Sequence, residues 1–197
     1  MLHRTLTGQR RAGPLASALL LLAYVLTGLL GLHFASAGPQ VTLLWAPSGI
    51  AIAATILMGP RALPVVFIAA LLTNGLADGP QLADLLIAGG NTAEAALALV
   101  VLRGAGFQPT LRRRRDLAIL VVGGVVLAPA AGALLGVGAL SITGNLGAPA
   151  PIALQTWWMG DGAGVLVFSP FVFAWATRGG RGLTVARWVE VGALTAG

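Results

Sequence analysis

The chain has 197 residues, 57% of them hydrophobic and only 9% charged, against roughly a quarter charged in an ordinary soluble domain. That composition excludes a water-soluble fold, and the long unbroken apolar runs exclude a membrane β-barrel, whose strands alternate every second residue. The net charge of +6 arises from twelve arginines without a lysine, all beside or between apolar stretches, where they orient a membrane protein rather than grip nucleic acid; no cysteine is present for disulfides, thiolate metal sites or cysteine catalysis.

A basic tail over residues 1–13 precedes the first apolar run, 14–33. At twenty residues this run exceeds the ~7–15-residue core of a signal peptide, so a retained helix is favoured, although Ala35-Ser36-Ala37 resembles a cleavage site. Segments of a length suited to the bilayer follow over 41–58, 62–77, 82–102, 117–140 and 152–177. A seventh begins near Trp188, is interrupted only by Glu190, and is still apolar at Gly197. The pattern predicts an all-α, polytopic transmembrane helix bundle with about seven helices present; an eighth, expected but missing on the family resemblance given below, would return the C-terminus to the cytoplasm. On this division 1–13 is a cytoplasmic N-terminal tail and 14–197 a transmembrane domain incomplete at its C-terminus.

The arginines test this segmentation, because hydropathy placed the segments without them. With the N-terminus inside, the inner loops hold Arg4, Arg10 and Arg11, then Arg61, then Arg103 with Arg112 to Arg115, then Arg178, Arg181 and Arg187. The outer loops, around Ser36 to Gln40, Asp78 to Gln81 and Ser141 to Ala150, hold none. A miscounted segment would scatter arginine to both sides. The run Arg112 to Arg115 also suits anionic lipid headgroups, at ~1 kcal/mol per residue near the surface.

A carboxylate at the bilayer centre costs ~2.5–3.5 kcal/mol on insertion scales, so each one at that depth needs a reason. Glu94 lies about twelve residues, or ~18 Å, into the fourth segment, and Asp161 about nine residues, or ~13 Å, into the sixth. Neither has a basic partner at its depth, since every arginine is in a loop. Each is therefore expected to hold a proton, to share one, or to meet a cationic or hydrogen-bonding ligand. Asn91 is one turn before Glu94 on the same helical face, and Ser48, Thr92 and Gln155 add neutral polar groups nearby in depth. Three readings stand side by side for Asn91, Glu94 and Asp161: interhelical hydrogen-bonding glue, a ligand- or proton-sensing pocket, and a conducting path.

Gly160, Gly162 and Gly164 around Asp161 permit close backbone approach, while Trp157 and Trp158 suit an outer aromatic belt or a ligand-facing position. Pro47 and Pro170 are expected to kink their helices. His3 and His33 are too far apart to suggest a metal site, and no triad, P-loop or dinucleotide fingerprint is present. No catalytic residue, cofactor or metal is expected.

Four motifs carry a family resemblance. They are Leu44-Trp45-Ala46-Pro47-Ser48-Gly49-Ile50-Ala51, the stretch from Gly59 to Asn74, Gly90-Asn91-Thr92-Ala93-Glu94-Ala95, and the stretch from Trp157 to Pro170. In this order, over about 41 to 175, they resemble the bacterial membrane-associated sensor domain of the first type; Ala46 stands where the family pattern has a proline. The resemblance implies an integral-membrane sensory input domain of about eight helices in the bacterial plasma membrane. It implies a cytoplasmic effector, a histidine kinase or a diguanylate cyclase or phosphodiesterase, and with such an effector a homodimer. Any enzymatic activity would reside in that effector. The alternative is a fragment of a transporter or channel using Glu94 and Asp161 as a proton or cation relay.

Overall fold

The computed structural model describes residues 13–34 and 43–177. The tail arginines, the loop around Ser36 to Gln40, Arg178, Arg181, Arg187 and the seventh segment lie outside the described residues. Among the described residues the chain is helical: α1 (Pro14–His33), α2 (Ala46–Met58), α3 (Leu63–Asp78), α4 (Leu82–Gly104), α5 (Arg114–Ile142) and α6 (Ala150–Thr177).

The helix boundaries follow from local chemistry. Proline occupies the first turn of both α1 and α2, where its fixed φ suits a helix start and its missing N–H costs nothing. Pro47 therefore opens α2 instead of kinking it, and α2 begins five residues later than hydropathy alone predicts (46 against 41). Gly59, at φ 78°, stops α2 and leads into a 3₁₀ turn, Gly59–Ala62. The start of α4 is capped where the Gln81 backbone N–H donates to Asp84 Oδ2 at 2.8 Å. Pro170 lies inside α6, as expected.

By length and composition, five stretches can cross a membrane, because α2 and α3 form one apolar run, Ala46–Ala77. That run is folded back on itself: Gly28 of α1 lies against both Pro47, at the start of α2, and Thr73, near the end of α3. Taken singly, α2 and α3 are only ~20 and ~24 Å long, short of a hydrocarbon core of ~30 Å. Among the described residues five stretches are thus long and apolar enough to cross, which does not confirm the count of about seven, and the predicted seventh lies outside those residues.

The turns collect at two ends. At one, Arg103 Nη2 donates to the Ile56 carbonyl at 3.4 Å, joining the end of α4 to the end of α2. At the other, Asn145 Nδ2 donates to Gln81 Oε1 at 2.9 Å, joining the α5–α6 and α3–α4 turns. All six described arginines, Arg61, Arg103 and Arg112 to Arg115, belong to the first end. There Arg113 grips the buried Asp116 carboxylate with Nε at 2.8 Å and Nη2 at 2.6 Å, and the Gln108 N–H donates to Asp116 Oδ1 at 3.0 Å. The hydrogen-bonded Asp116 raises the Arg113 guanidinium further above its already high value.

α2 is the axis of the bundle. Every residue from Ala46 to Ile56 is buried, enclosed by α1, α4 and α6. Around it the outer faces carry large exposed apolar side chains such as Leu15, Leu19, Leu26, Leu134, Phe171 and Trp175, a surface suited to lipid. Apolar burial drives little association between helices in lipid, so close packing of small residues has to hold them together.

Candidate functional site

The site is built on the crossing of α2 with α6. A Cβ added to Gly49 would overlap the Gly164 carbonyl, and one added to Gly164 would overlap the Trp45 carbonyl, so the two backbones touch with no side chain between them. Two bonds stitch the crossing: the Trp45 N–H donates to the Gly160 carbonyl at 2.9 Å, and Ser169 Oγ donates to the Gly49 carbonyl at 2.8 Å. This contact places Ser48, one residue before Gly49, opposite Asp161, three residues before Gly164.

α4 brings Glu94 to the same place. Its carboxyl is 1% exposed, accepts a hydrogen bond from Ser48 Oγ at 3.4 Å, and faces Asp161, which is also 1% exposed. Gly132 of α5 makes room for it, since a Cβ there would overlap Glu94 Oε2. Asp161 faces Ser48, Glu94 and Trp157. Glu94 Oε1 and both Asp161 oxygens nevertheless lie outside hydrogen-bond geometry with every neighbour. From the α4 and α6 starts, the acids are about twelve and eleven residues deep (94 − 82 and 161 − 150), ~18 and ~16 Å. They share one level, deeper in α6 than hydropathy placed Asp161.

Of the six residues singled out in the sequence, Ser48, Asn91, Glu94, Asp161 and Trp157 are buried and converge, whereas Trp158 does not join them. Trp157 lays its ring on Gly136, where a Cβ would overlap it. Trp158 is 39% exposed, and its indole N–H donates to the Val126 carbonyl at 3.0 Å. That carbonyl belongs to the π-helical middle of α5, Leu120–Leu127, a geometry found often at functional sites. Thr92 turns its hydroxyl back onto the Ala88 carbonyl of its own helix.

Sequence reasoning missed Tyr24. It is the chain's single tyrosine, 1% exposed halfway along α1, with its hydroxyl facing Asn91, Trp45 and the two carboxyls and making no hydrogen bond. The depth argument used for the acids would have found it had it been extended to hydroxyls. Gly132 was also missed, and nothing in its own identity marks it.

Tyr24, Ser48, Ala51, Ile52, Asn91, Glu94 and Ala95 line one gap, which has no room for a water molecule. Among the described residues no group of three His, Asp or Glu is placed to hold a metal. What the arrangement offers chemically is two buried carboxyls within reach of hydroxyl, amide and indole donors.

A family model, MASE1, matches residues 15–192. No curated protein and no solved structure matches the chain.

Proposed function

The chain belongs to MASE1, a family of membrane-associated sensor domains found in histidine kinases and diguanylate cyclases, and from that premise we propose that it perceives its stimulus at the buried Glu94–Asp161 cluster and passes the change to a cytoplasmic effector. The domain is a sensory input module and not itself catalytic. The observation that carries the site assignment is the meeting of two carboxyls from α4 and α6, both 1% exposed and with no cation among the side chains around them.

Asn91, Ser48 and Trp157 complete the cluster, and Trp158 lies beside it against α5. The arginine-bearing end faces the cytoplasm, with the N-terminus on that side of a bacterial plasma membrane, because positive loops are retained inside. Arg112 to Arg115 meet anionic headgroups there, and two copies associate when the effector is dimeric. The family match supports sensing over a transport or conducting role.

The test is signalling by the membrane protein joined to its effector, in cells or vesicles. Glu94→Gln and Asp161→Asn are each expected to lock the output at one level while the protein remains inserted. Full stimulus response in both variants would refute the assignment.

A further inference from the structure

We propose that the apolar segment after α6, from Trp188 onward, packs as a helix into the groove that α1, α2 and α6 leave open toward the arginine-bearing end.

The groove has a volume of about 1000 Å³. Its mouth lies where α1 begins (Gly13), α2 stops (Met58) and α6 nears its end (Ala176), and it runs inward as far as Thr27, Ile50 and Phe168. Along α2 and α6 that is eight residue steps (58 − 50 and 176 − 168), ~12 Å, close to half of a ~30 Å hydrocarbon core.

Its size selects the occupant. A helix ~10 Å across takes up about 1000 Å³ in ~13 Å of length, which is about eight or nine residues; a single acyl chain is far thinner. The walls suit a helix as well. On α1, Ala16, Leu19 and Ala23 stand three and four residues apart, and on α6 Phe168, Phe171 and Trp175 do the same. Two such rows are what a third helix meets ridge to groove, and the alanines let its backbone come near. Leu19, Phe171 and Trp175 are each more than half exposed, so these rows have no partner among the described residues.

The chain beyond α6 has a segment of that size. α6 closes at Thr177, beside the mouth of the groove, and the family match continues to residue 192, so the domain includes chain past α6. Residues 178–187, with Arg178, Arg181 and Arg187, reach up to ~33 Å when extended, ample to turn the chain back at the same end. From Trp188 to Gly197 the chain is apolar apart from Glu190. As a helix entering at Trp188 this stretch covers ~15 Å, the depth of the groove, and leaves Glu190 in its first turn at the mouth. Gly192 and Ala196, four apart, give it a small face for close packing. A short tether also presents the segment at an effective concentration in the millimolar range, an advantage that a second copy of the chain lacks.

α2 and α6 are the two helices of the Gly49–Gly164 crossing, where Phe168 lies against Gly49. The docked segment therefore rests on both partners of that crossing, and a change in their angle changes the width of its groove.

Because the chain has no cysteine, paired cysteines test this without background, in the full chain in native membranes. Leu19→Cys is combined in turn with Val191→Cys, Gly192→Cys, Ala193→Cys, Leu194→Cys and Thr195→Cys, then oxidised. Leu19 and Leu194 are each six residues, ~9 Å, in from the mouth (19 − 13 and 194 − 188). Crosslinks within one chain are expected around Leu194, on one helical face, and none when Val100→Cys, exposed on α4 away from the groove, replaces Leu19→Cys. A nitroxide on Leu19→Cys alone, with the segment unaltered, should be shielded from dissolved oxygen relative to one on Val100→Cys. Three results would overturn the proposal: crosslinking to Leu19→Cys that is absent or matched by Val100→Cys, crosslinks that join two chains only, or equal oxygen access at the two nitroxides, which would leave the groove to lipid. None of these readouts depends on the sensory assignment.

Discussion

Replacing Gly164 by alanine adds a methyl where α6 meets the backbone of α2. Its Cβ would lie 2.6 Å from the Trp45 carbonyl carbon and 3.3 Å from the Ala46 nitrogen. Ordinary contact begins at 3.4 Å and the Trp45 carbonyl oxygen lies nearer still than its carbon, so the helices must part by more than 0.8 Å (3.4 − 2.6). That opening stretches the Trp45 N–H to Gly160 bond from 2.9 Å to beyond about 3.7 Å and the Ser169 to Gly49 bond from 2.8 Å to beyond about 3.6 Å, both outside useful range. Overpacking costs about 1–3 kcal/mol, and two interhelical hydrogen bonds in a bilayer add ~0.6 kcal/mol each. The expected loss is thus about 2–4 kcal/mol, read as a shift of the SDS-driven unfolding midpoint in mixed micelles. Gly89→Ala is the control, because nothing lies within 4 Å of its Cβ and the added methyl gains up to ~1 kcal/mol of helix propensity. Equal stability of the two variants would refute the backbone-to-backbone crossing.

Gly132→Ala should displace Glu94 without touching its charge, and so reproduce the signalling phenotype of Glu94→Gln in a correctly inserted protein; a normal response would separate Glu94's position from its function. Trp157→Ala is expected to cost ~3–5 kcal/mol in the same unfolding assay, as for a large buried side chain. Trp158→Phe, which forfeits one bond to Val126, should cost ~0.6 kcal/mol, and a reversed order would contradict the placement of the two rings. Arg113→Gln removes the guanidinium that holds buried Asp116, so amide exchange at Gln108, which donates to the same carboxylate, should accelerate, while exchange in the α3–α4 turn at the opposite end stays unchanged.

Hydropathy and arginine spacing located α1 to its residue, placed most other helix boundaries within three residues, and put the described arginines at one end, because lipid exposure and charge are properties of single residues and their neighbours. Glu94 and Asp161 were legible one by one as deep carboxyls without a basic partner, but hydropathy set them at ~18 and ~13 Å and did not say that they meet. The late start of α2 was not, because the backbone restriction at Pro47 outweighs the apolar character of residues 41–45. Ser48 as the partner of Glu94 depended on that same boundary. The close pairings of Gly49 with Gly164 and of Gly132 with Glu94 were out of reach: each joins positions 115 or 38 residues apart (164 − 49, 132 − 94), and a glycine's own identity does not say what occupies the space it leaves. Tyr24 was legible in depth and overlooked because a hydroxyl carries no charge to flag it.

The enclosure of α2 sets an order on how the protein is made. Its bond partner Ser169 stands 120 residues further along the chain from Gly49. At synthesis rates of ~5–20 residues per second, α6 emerges ~6–24 s after α2. For that interval a short helix carrying Ser48 and Thr55 has one flank uncovered, and its backbone cannot find the glycine surface it is shaped for. Membrane insertion and final assembly are therefore separate events in this domain, and the carboxyl cluster comes into being only with the second of them.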